Sequence, residues 1–547
     1  MPVKKNIAIC LLLISFAGYS QQTVFTHQDT LRGTITQERA WWDLQHYTLD
    51  IKIDIQHKSL KGSNIIQYKV LTPYQWMQID LQKPMEITAV SQDGKKLHYQ
   101  REGNAYHIKL KKKQIAGTIN SITINYRGMP KESKNPPWDD GFTWSNDKNG
   151  NDFIATTCQG GGASIWWPCK DHMYDEPDKG VTLSLTIPKD LVGVSNGRLI
   201  HTRENTDPTK TFTWQVVNPI NNYGVNINIG DYVHFSSTYQ GEKGPLDCDY
   251  YVLSYNLKKA KEQFKQADKM LKAFEYWFGP YPFYEDSYKL VEVPYLGMEH
   301  QSSVTYGNGY KNGYLGFDLS GSGWGLKFDF IIIHESGHEW FANNITDKDI
   351  ADMWIHEGFT AYAESLYLDY YFGTKAASEY IIGTRKTIHN DRPIIGHYNV
   401  NNAGSGDMYY KAANMLHTLR QVVNDDDKWR SLLRGLNKTF YHQTVSSQQI
   451  ENYVSTQMGI NLQPFFNQYL RTVKIPLLEY SIKDNYVEYR WANTVSGFQL
   501  PIKVSINKKI QWLRPSASWK KLSLENSINI PSFKVDENWY IHTKKMN

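Results

Sequence analysis

The stretch "IIIHESGHEW", residues 331 to 340, follows three β-branched apolar residues with three ionisable side chains in five positions: His334, Glu335 and His338. A segment bound for a core ordinarily stays apolar, because a charged group taken out of water needs a partner. Two arrangements account for the pattern. Either a helix turns a polar stripe to solvent, or it presents metal ligands to a cleft. In an α-helix, positions i and i+4 share a face. His334 and His338 would then point together and could share one ion, with Glu335 within reach of a water beside it. Catalytic zinc takes three protein ligands and keeps one position open. The segment "DMWIHEGFTAYAES" offers the third ligand in Glu357, 19 residues after His338. Glu364 lies two helical turns further along that face, where it could accept a hydrogen bond from a ligating histidine. The apolar neighbours Trp354, Phe359 and Tyr362 argue that this helix is buried rather than solvated.

The elements that would carry these residues change period along the chain. "YTLDIKIDI" alternates, with Tyr47, Leu49, Ile51, Ile53 and Ile55 on one side and Thr48, Asp50, Lys52 and Asp54 on the other, which predicts a strand. "KGVTLSLTIP" and "NYGVNINIGDY" continue in that style, and "QDGKK" and "NDKNGND" mark turns. Near residue 255 the period becomes helical: Leu257, Ala260, Phe264, Ala267, Leu271 and Phe274 recur until Gly279 and Pro280 stop the run. Helical segments dominate to about residue 470, including "SSQQIENYVSTQMG", with Ser before the run and Gly after it. Alternation returns near 476, and "LPIKVSI" sets Leu500, Ile502, Val504 and Ile506 on one face. A chain of 547 residues exceeds a single core and predicts about three domains. The reading is multidomain α and β: a leader at 1–20, an antiparallel β domain at 21–235, a mainly helical domain at 236–472 and a small β domain at 473–547.

Composition narrows the function classes. With 37 Tyr and 17 Trp the chain is a folded protein, and a net charge of +5 without a dense Lys/Arg cluster excludes nucleic acid as an expected partner. Lys4 and Lys5 followed by the apolar run Ile7 to Ala17 predict a signal peptide, cleaved before Gln21. That run is short of the ~20 residues a membrane span needs, and no other run is longer, so an exported protein (periplasmic or secreted) without stable membrane insertion is expected. Cys158, Cys169 and Cys248 remain after the leader. Three cysteines permit at most one internal disulfide, and their spacing resembles no zinc site.

H-E-x-x-H, eighteen intervening residues and then Glu within "WIHEGFTAYAE" resembles the gluzincin metallopeptidases of family M1, of the aminopeptidase N and leukotriene hydrolase type. The resemblance runs through the chain. "YLGMEH" is similar to the family's G-x-M-E-N, which implies that Glu299, with Gly297 and Met298 beside it, holds the free α-amine of a substrate. "TTCQGGGASIWWPCKD" is similar to the run that places Gln159 at a second amine contact. "YYKAANML" resembles the helix with the catalytic tyrosine, and the Y-x-K spacing points to Tyr409 rather than Tyr410. "GINLQPFFNQYLRT" is similar to the end of the catalytic domain. Without this likeness Glu299 reads as a carboxylate after a strand, Gln159 as a turn residue, and a lone Tyr as packing. The family's first three domains are an N-terminal β domain, a thermolysin-like catalytic domain and a small β-sandwich; this chain looks like the short form that lacks the C-terminal helical domain.

The likeness implies one Zn2+ per chain on His334, His338 and Glu357, with Glu335 as general base, Tyr409 as oxyanion donor and Glu364 behind a ligand. His300 and His356 flank motif residues, but a four-coordinate site with one water leaves them no place. The implied activity is hydrolysis of the first peptide bond of peptides with a free N-terminus. A zinc endopeptidase, an epoxide-type hydrolase or an inactive peptide-binding protein on the same scaffold are the alternatives. Departures from the family pattern are Leu296 and His300 in the amine loop, Thr157 before Cys158, and Ala412 after Lys411. None removes a ligand or the base.

Overall fold

The computed structural model describes residues 24–483, 485–524 and 532–547. The leader expected over residues 1–20 lies outside them. The alternation read in the first strand is realised: Tyr47, Leu49, Ile51 and Ile53 are buried while Asp50 and Asp54 are exposed. This strand, Trp42–Asp54, lies inside an eight-stranded sheet. It pairs antiparallel with Ser59–Val70 and parallel with Val181–Pro188. A four-stranded sheet beside it contains Asp152–Thr157, which delivers the chain directly to Gln159.

The strand Tyr232–Gly241 opens a different, five-stranded sheet, so the boundary expected at 235/236 falls inside a strand. All of that strand's pairing is with Gly244–Leu253, which pairs onward with Tyr288–Glu292, and the junction is better placed just before Tyr232. The local alternation on both sides of residue 235 is alike, and only the pairing partner separates the two sheets. The last strand in this sheet's order is Gly297–Met298, immediately before Glu299.

Helix α1, Lys265–Phe278, ends at Gly279 with φ of 97°, as the Gly-Pro signal requires. The helical run that begins at Leu257 is broken at Phe264, whose ring packs edge-on to Tyr306 at 5.0 Å. Helix α2, Phe330–Gly337, starts at Asp329, whose carboxylate accepts from the N–H groups of Ile331 and Ile332. The path from α2 to Glu357 is more than a turn: Ile345–Asp347 forms a short parallel pair with Gln443–Val445. Helix α3, Trp354–Phe372, and helix α4, Tyr410–Val423, complete the frame of the site.

Ser446 and Gln449 form a capping box, and Gly459 closes that helix in the left-handed conformation, as the sequence predicts. Leu477–Lys483 and Ile502–Ile506 belong to two C-terminal sheets of four and three strands. Trp491, Leu500, Ile502 and Trp539 join the same apolar core as the helices, so these sheets dock on the helical region through buried surface. His417 of α4 faces Asn538 at 2.9 Å across that junction. The three described cysteines are free and buried. Among the described residues no helix is long and apolar enough to cross a membrane.

Candidate active site

His334 sits in the last turn of α2, and His338 immediately follows it as the C-cap. Their ring orientations are set from behind. His334 Nδ1 lies 2.7 Å from Glu364 Oε1, and His338 Nδ1 lies 3.0 Å from the Phe341 carbonyl and 3.1 Å from the Thr360 hydroxyl. Phe341 can turn its carbonyl back because the helix breaks there. Ala342 holds φ of 148°, a conformation disfavoured for residues with a Cβ. With Nδ1 engaged on both rings, both Nε2 atoms face Glu357, at 3.7 Å from His334 and 3.3 Å from His338. Tetrahedral zinc ligands at about 2.0–2.1 Å from the metal stand about 3.4 Å apart.

The three residues fit a metal on two grounds. The Glu357 oxygen facing the imidazoles is buried and has no hydrogen-bond partner. The surrounding cavity of about 430 Å³ is lined by Glu299, Glu335, Glu357 and Asp140 with no Lys or Arg. With no Lys or Arg to pair these carboxylates, the two imidazoles are the basic groups facing Glu357, and two His with one Glu is a donor set that suits zinc. Although burial opposes it, the facing imidazoles, His338 first, hold Glu357 below its ordinary range. Burial pushes Glu335 up to about 7, against the pull of His334 and His338.

Glu299 is 2% exposed. Its Oε1 accepts from Gln159 Nε2 at 2.7 Å and from the Tyr223 hydroxyl at 3.0 Å. Gln159 Nε2 also donates to Glu357 Oε1 at 3.2 Å, which joins the amine-site candidates to the metal candidates. Burial raises the Glu299 carboxyl, while His338 pulls it the other way. One oxygen each of Glu299 and Glu335 and a ring nitrogen of His338 lie within 4.8 Å of one another. Gly297 and Met298 line the same cavity. A Cβ on Gly297 would come within 2.7 Å of Ile331 and 3.2 Å of Glu335, so glycine lets this loop approach Glu335.

Tyr409 precedes α4 and stacks on His334 with ring centroids 6.1 Å apart. Burial first, then Glu357, lift its hydroxyl well above its ordinary value, so it stays a proton donor at neutral pH. Tyr410 lines the same cavity, but its hydroxyl reaches Glu364 Oε2 at 3.4 Å, on the carboxyl oxygen that Tyr380 also contacts at 2.7 Å. His356 Nε2 accepts from the Asp347 N–H at 2.8 Å, and burial holds His300 near 3; neither belongs to the group of three. Ala412 fits where the family pattern has Gly because it faces Gly358, where an added Cβ would meet it at 2.6 Å.

Sequence reasoning missed Tyr223, Thr360 and Tyr380. Each is a single hydroxyl that no motif marks, and its partner lies on a different element, 76, 22 and 16 positions away respectively. Asn343 was missed as well; it donates to the Glu299 carbonyl at 2.8 Å from the kink after α2.

The chain matches the model described as the peptidase family M1 domain over residues 262–469, and that of the peptidase M1 N-terminal domain over residues 44–223. It is 22% identical over 416 residues to probable aminopeptidase 1 of Sulfurisphaera tokodaii, covering 71% of this chain and 50% of that one. It is 23% identical over 350 residues to endoplasmic reticulum aminopeptidase 1 of Mus musculus, covering 60% and 36%. The chain spans about half or less of the length of these curated relatives. Its fold is similar to a solved M1 zinc metallopeptidase from Deinococcus radiodurans, with TM-score 0.67 and 21% identity over 80% of this chain and 95% of that one. A mutant of that protein bound to a Tyr-Ser-Ala substrate gives TM-score 0.68 at 20% identity, covering 80% and 96%.

Proposed function

The chain belongs to peptidase family M1, and on that premise we propose that it is a zinc aminopeptidase that removes the first residue of peptides. The observation that carries this reading is a distance: the Glu299 carboxylate lies within 4.8 Å of Glu335 and His338. In an α-amino acid the amine nitrogen stands about 2.5 Å from its own carbonyl carbon, and the next residue begins about 3.8 Å further on. An ammonium group paired with Glu299 therefore brings the first carbonyl to Glu335, and leaves later ones out of reach. The Gln159 carboxamide oxygen, free while its nitrogen donates to Glu299 and Glu357, is a second acceptor for that ammonium.

His334, His338 and Glu357 would hold the ion. When bound, zinc supplies Lewis acidity at the scissile carbonyl and at water. Glu335 takes the proton from the attacking water and passes a proton to the leaving nitrogen. The Tyr409 hydroxyl donates to the oxyanion as it develops. Glu364, held by Tyr380, keeps His334 in the orientation that leaves Nε2 free for the ion. Export is part of the proposal and rests on Lys4, Lys5 and the apolar run after them.

The test compares one peptide with a free and an acetylated N-terminus. Cleavage of the first bond should require the free amine. Equal rates on the two, or internal cuts, would replace this reading with the endopeptidase one.

A further inference from the structure

Gln159 stands in "CQGGGA", where three successive glycines give the backbone unusual freedom. The position of its carboxamide depends on what ties that loop down. From the N-terminal β domain, Asp140 accepts from the Gly161 N–H at 2.5 Å and Gln82 donates to the Gly161 carbonyl at 2.6 Å. The Gly160 carbonyl is held by two further side chains. Arg32 Nη2 donates to it at 3.1 Å and Asn401 Nδ2 at 3.4 Å. Arg32 belongs to the short helix His27–Gly33, and Asn401 to a loop of the catalytic region.

That helix is itself fixed to both sides. The Thr34 hydroxyl donates to the Asn399 carbonyl at 3.1 Å, and His172 Nε2 lies 3.1 Å from the Gly33 carbonyl. Gly33 packs so closely that an added Cβ would stand 2.3 Å from the Asn401 nitrogen. Buried Arg39 gathers the carbonyls of Leu31, Arg32 and Thr34 at 2.8–3.0 Å with one nitrogen, and reaches Asp80 with the other. Arg32 and Gln159 line one small cavity together with Tyr223, whose hydroxyl donates to Glu299.

We infer that Arg32 is a positioning residue for amine recognition. The helix His27–Gly33 straps the N-terminal domain to the 399–401 loop, fixes Gly160, and thereby sets where the neighbouring Gln159 carboxamide meets the substrate's ammonium group. Arg32 itself touches no substrate. The inference rests on the aminopeptidase reading and adds to it a residue that no motif marks.

The test uses the full chain with zinc loaded. In a Glu335→Gln background, where turnover is slowed about 10²–10⁴-fold, calorimetry compares a tripeptide with its N-acetylated form. Adding Arg32→Ala should weaken binding of the free-amine peptide about tenfold, the scale of one hydrogen bond to a charged group, with the acetylated form unaffected. With Glu335 intact, KM should rise about tenfold while kcat changes less than about threefold, and Arg32→Lys should recover part of the loss. Unchanged affinity, or equal weakening of both peptides, would overturn the inference. Should Arg32→Ala fail to fold, Asn401→Ala removes the second bond to the same carbonyl. It should lower the same selectivity about threefold, and unchanged selectivity there is equally fatal. If the protein with Arg32 intact fails to distinguish the two peptides, the aminopeptidase reading falls first and the inference with it.

Discussion

Replacing Glu299 by Gln isolates charge from shape at the amine site. Both donors, Gln159 Nε2 and the Tyr223 hydroxyl, meet the same oxygen, Oε1. A carboxamide can keep its oxygen there, retain both hydrogen bonds and remove only the negative charge that pairs with the substrate. A hydrogen bond involving a charged group is worth about 1.5–3 kcal/mol, and each 1.4 kcal/mol is about tenfold, so kcat/KM on free-amine peptides should fall about 10–100-fold. Stability should move the other way. Burial raises the Glu299 carboxyl, so the ionised form is disfavoured by the fold at neutral pH, and a neutral amide should leave Tm unchanged or higher. The assay is kcat/KM for matched free and acetylated peptides on both proteins, with melting curves alongside. The penalty for acetylation should shrink in Glu299→Gln by the factor lost on the free peptide. An unchanged kcat/KM, or a penalty that stays the same in both proteins, would refute the pairing of Glu299 with the amine.

Purified protein should carry one zinc per chain; chelation should abolish activity, and Glu335→Gln should keep the metal while lowering kcat by about 10²–10⁴-fold, measured by metal analysis with steady-state rates. Tyr409→Phe should lower kcat by about 10²–10³-fold, whereas Tyr410→Phe should cost under about tenfold because its hydroxyl serves Glu364; the reverse order would exchange their roles. His417, buried at the junction with the C-terminal sheets, has its pKa lowered from 6.5 to about 3 by burial. The unfolded chain takes up that proton near 6.5 and the fold does not, so this contribution is present above 6.5 and is lost as pH falls toward 3. Relative to His417→Gln, the wild type should lose about 1.4 kcal/mol of stability per pH unit in that window, read by urea unfolding; parallel profiles would refute it.

The grouping of His334, His338 and Glu357 beside Glu335 was legible because its signal is local. Two histidines four apart on one helix, and a carboxylate on the next, are set by helical geometry before any packing is known. The alternating strands and the Gly279 and Gly459 stops were legible for the same reason. Glu299, Gln159 and Tyr409 were not legible from their neighbours and rested on likeness to family M1. The choice between Tyr409 and Tyr410 became physical only when one ring stacked on His334 and the other reached Glu364.

By itself the sequence determined which side chains could hold a metal, because helical periodicity fixes which residues share a face. It also determined the order β, α, β, because period 2 and period 3.6 differ within any ten residues. Tertiary structure alone decided where one sheet ends and the next begins, since the strand at Tyr232–Gly241 is assigned by its partner and not by its pattern. It alone decided that Tyr223, 76 positions from Glu299, donates to it, and that Arg32 reaches Gly160 across 128. Contacts between residues so far apart are fixed by how whole layers pack, and no local periodicity records them.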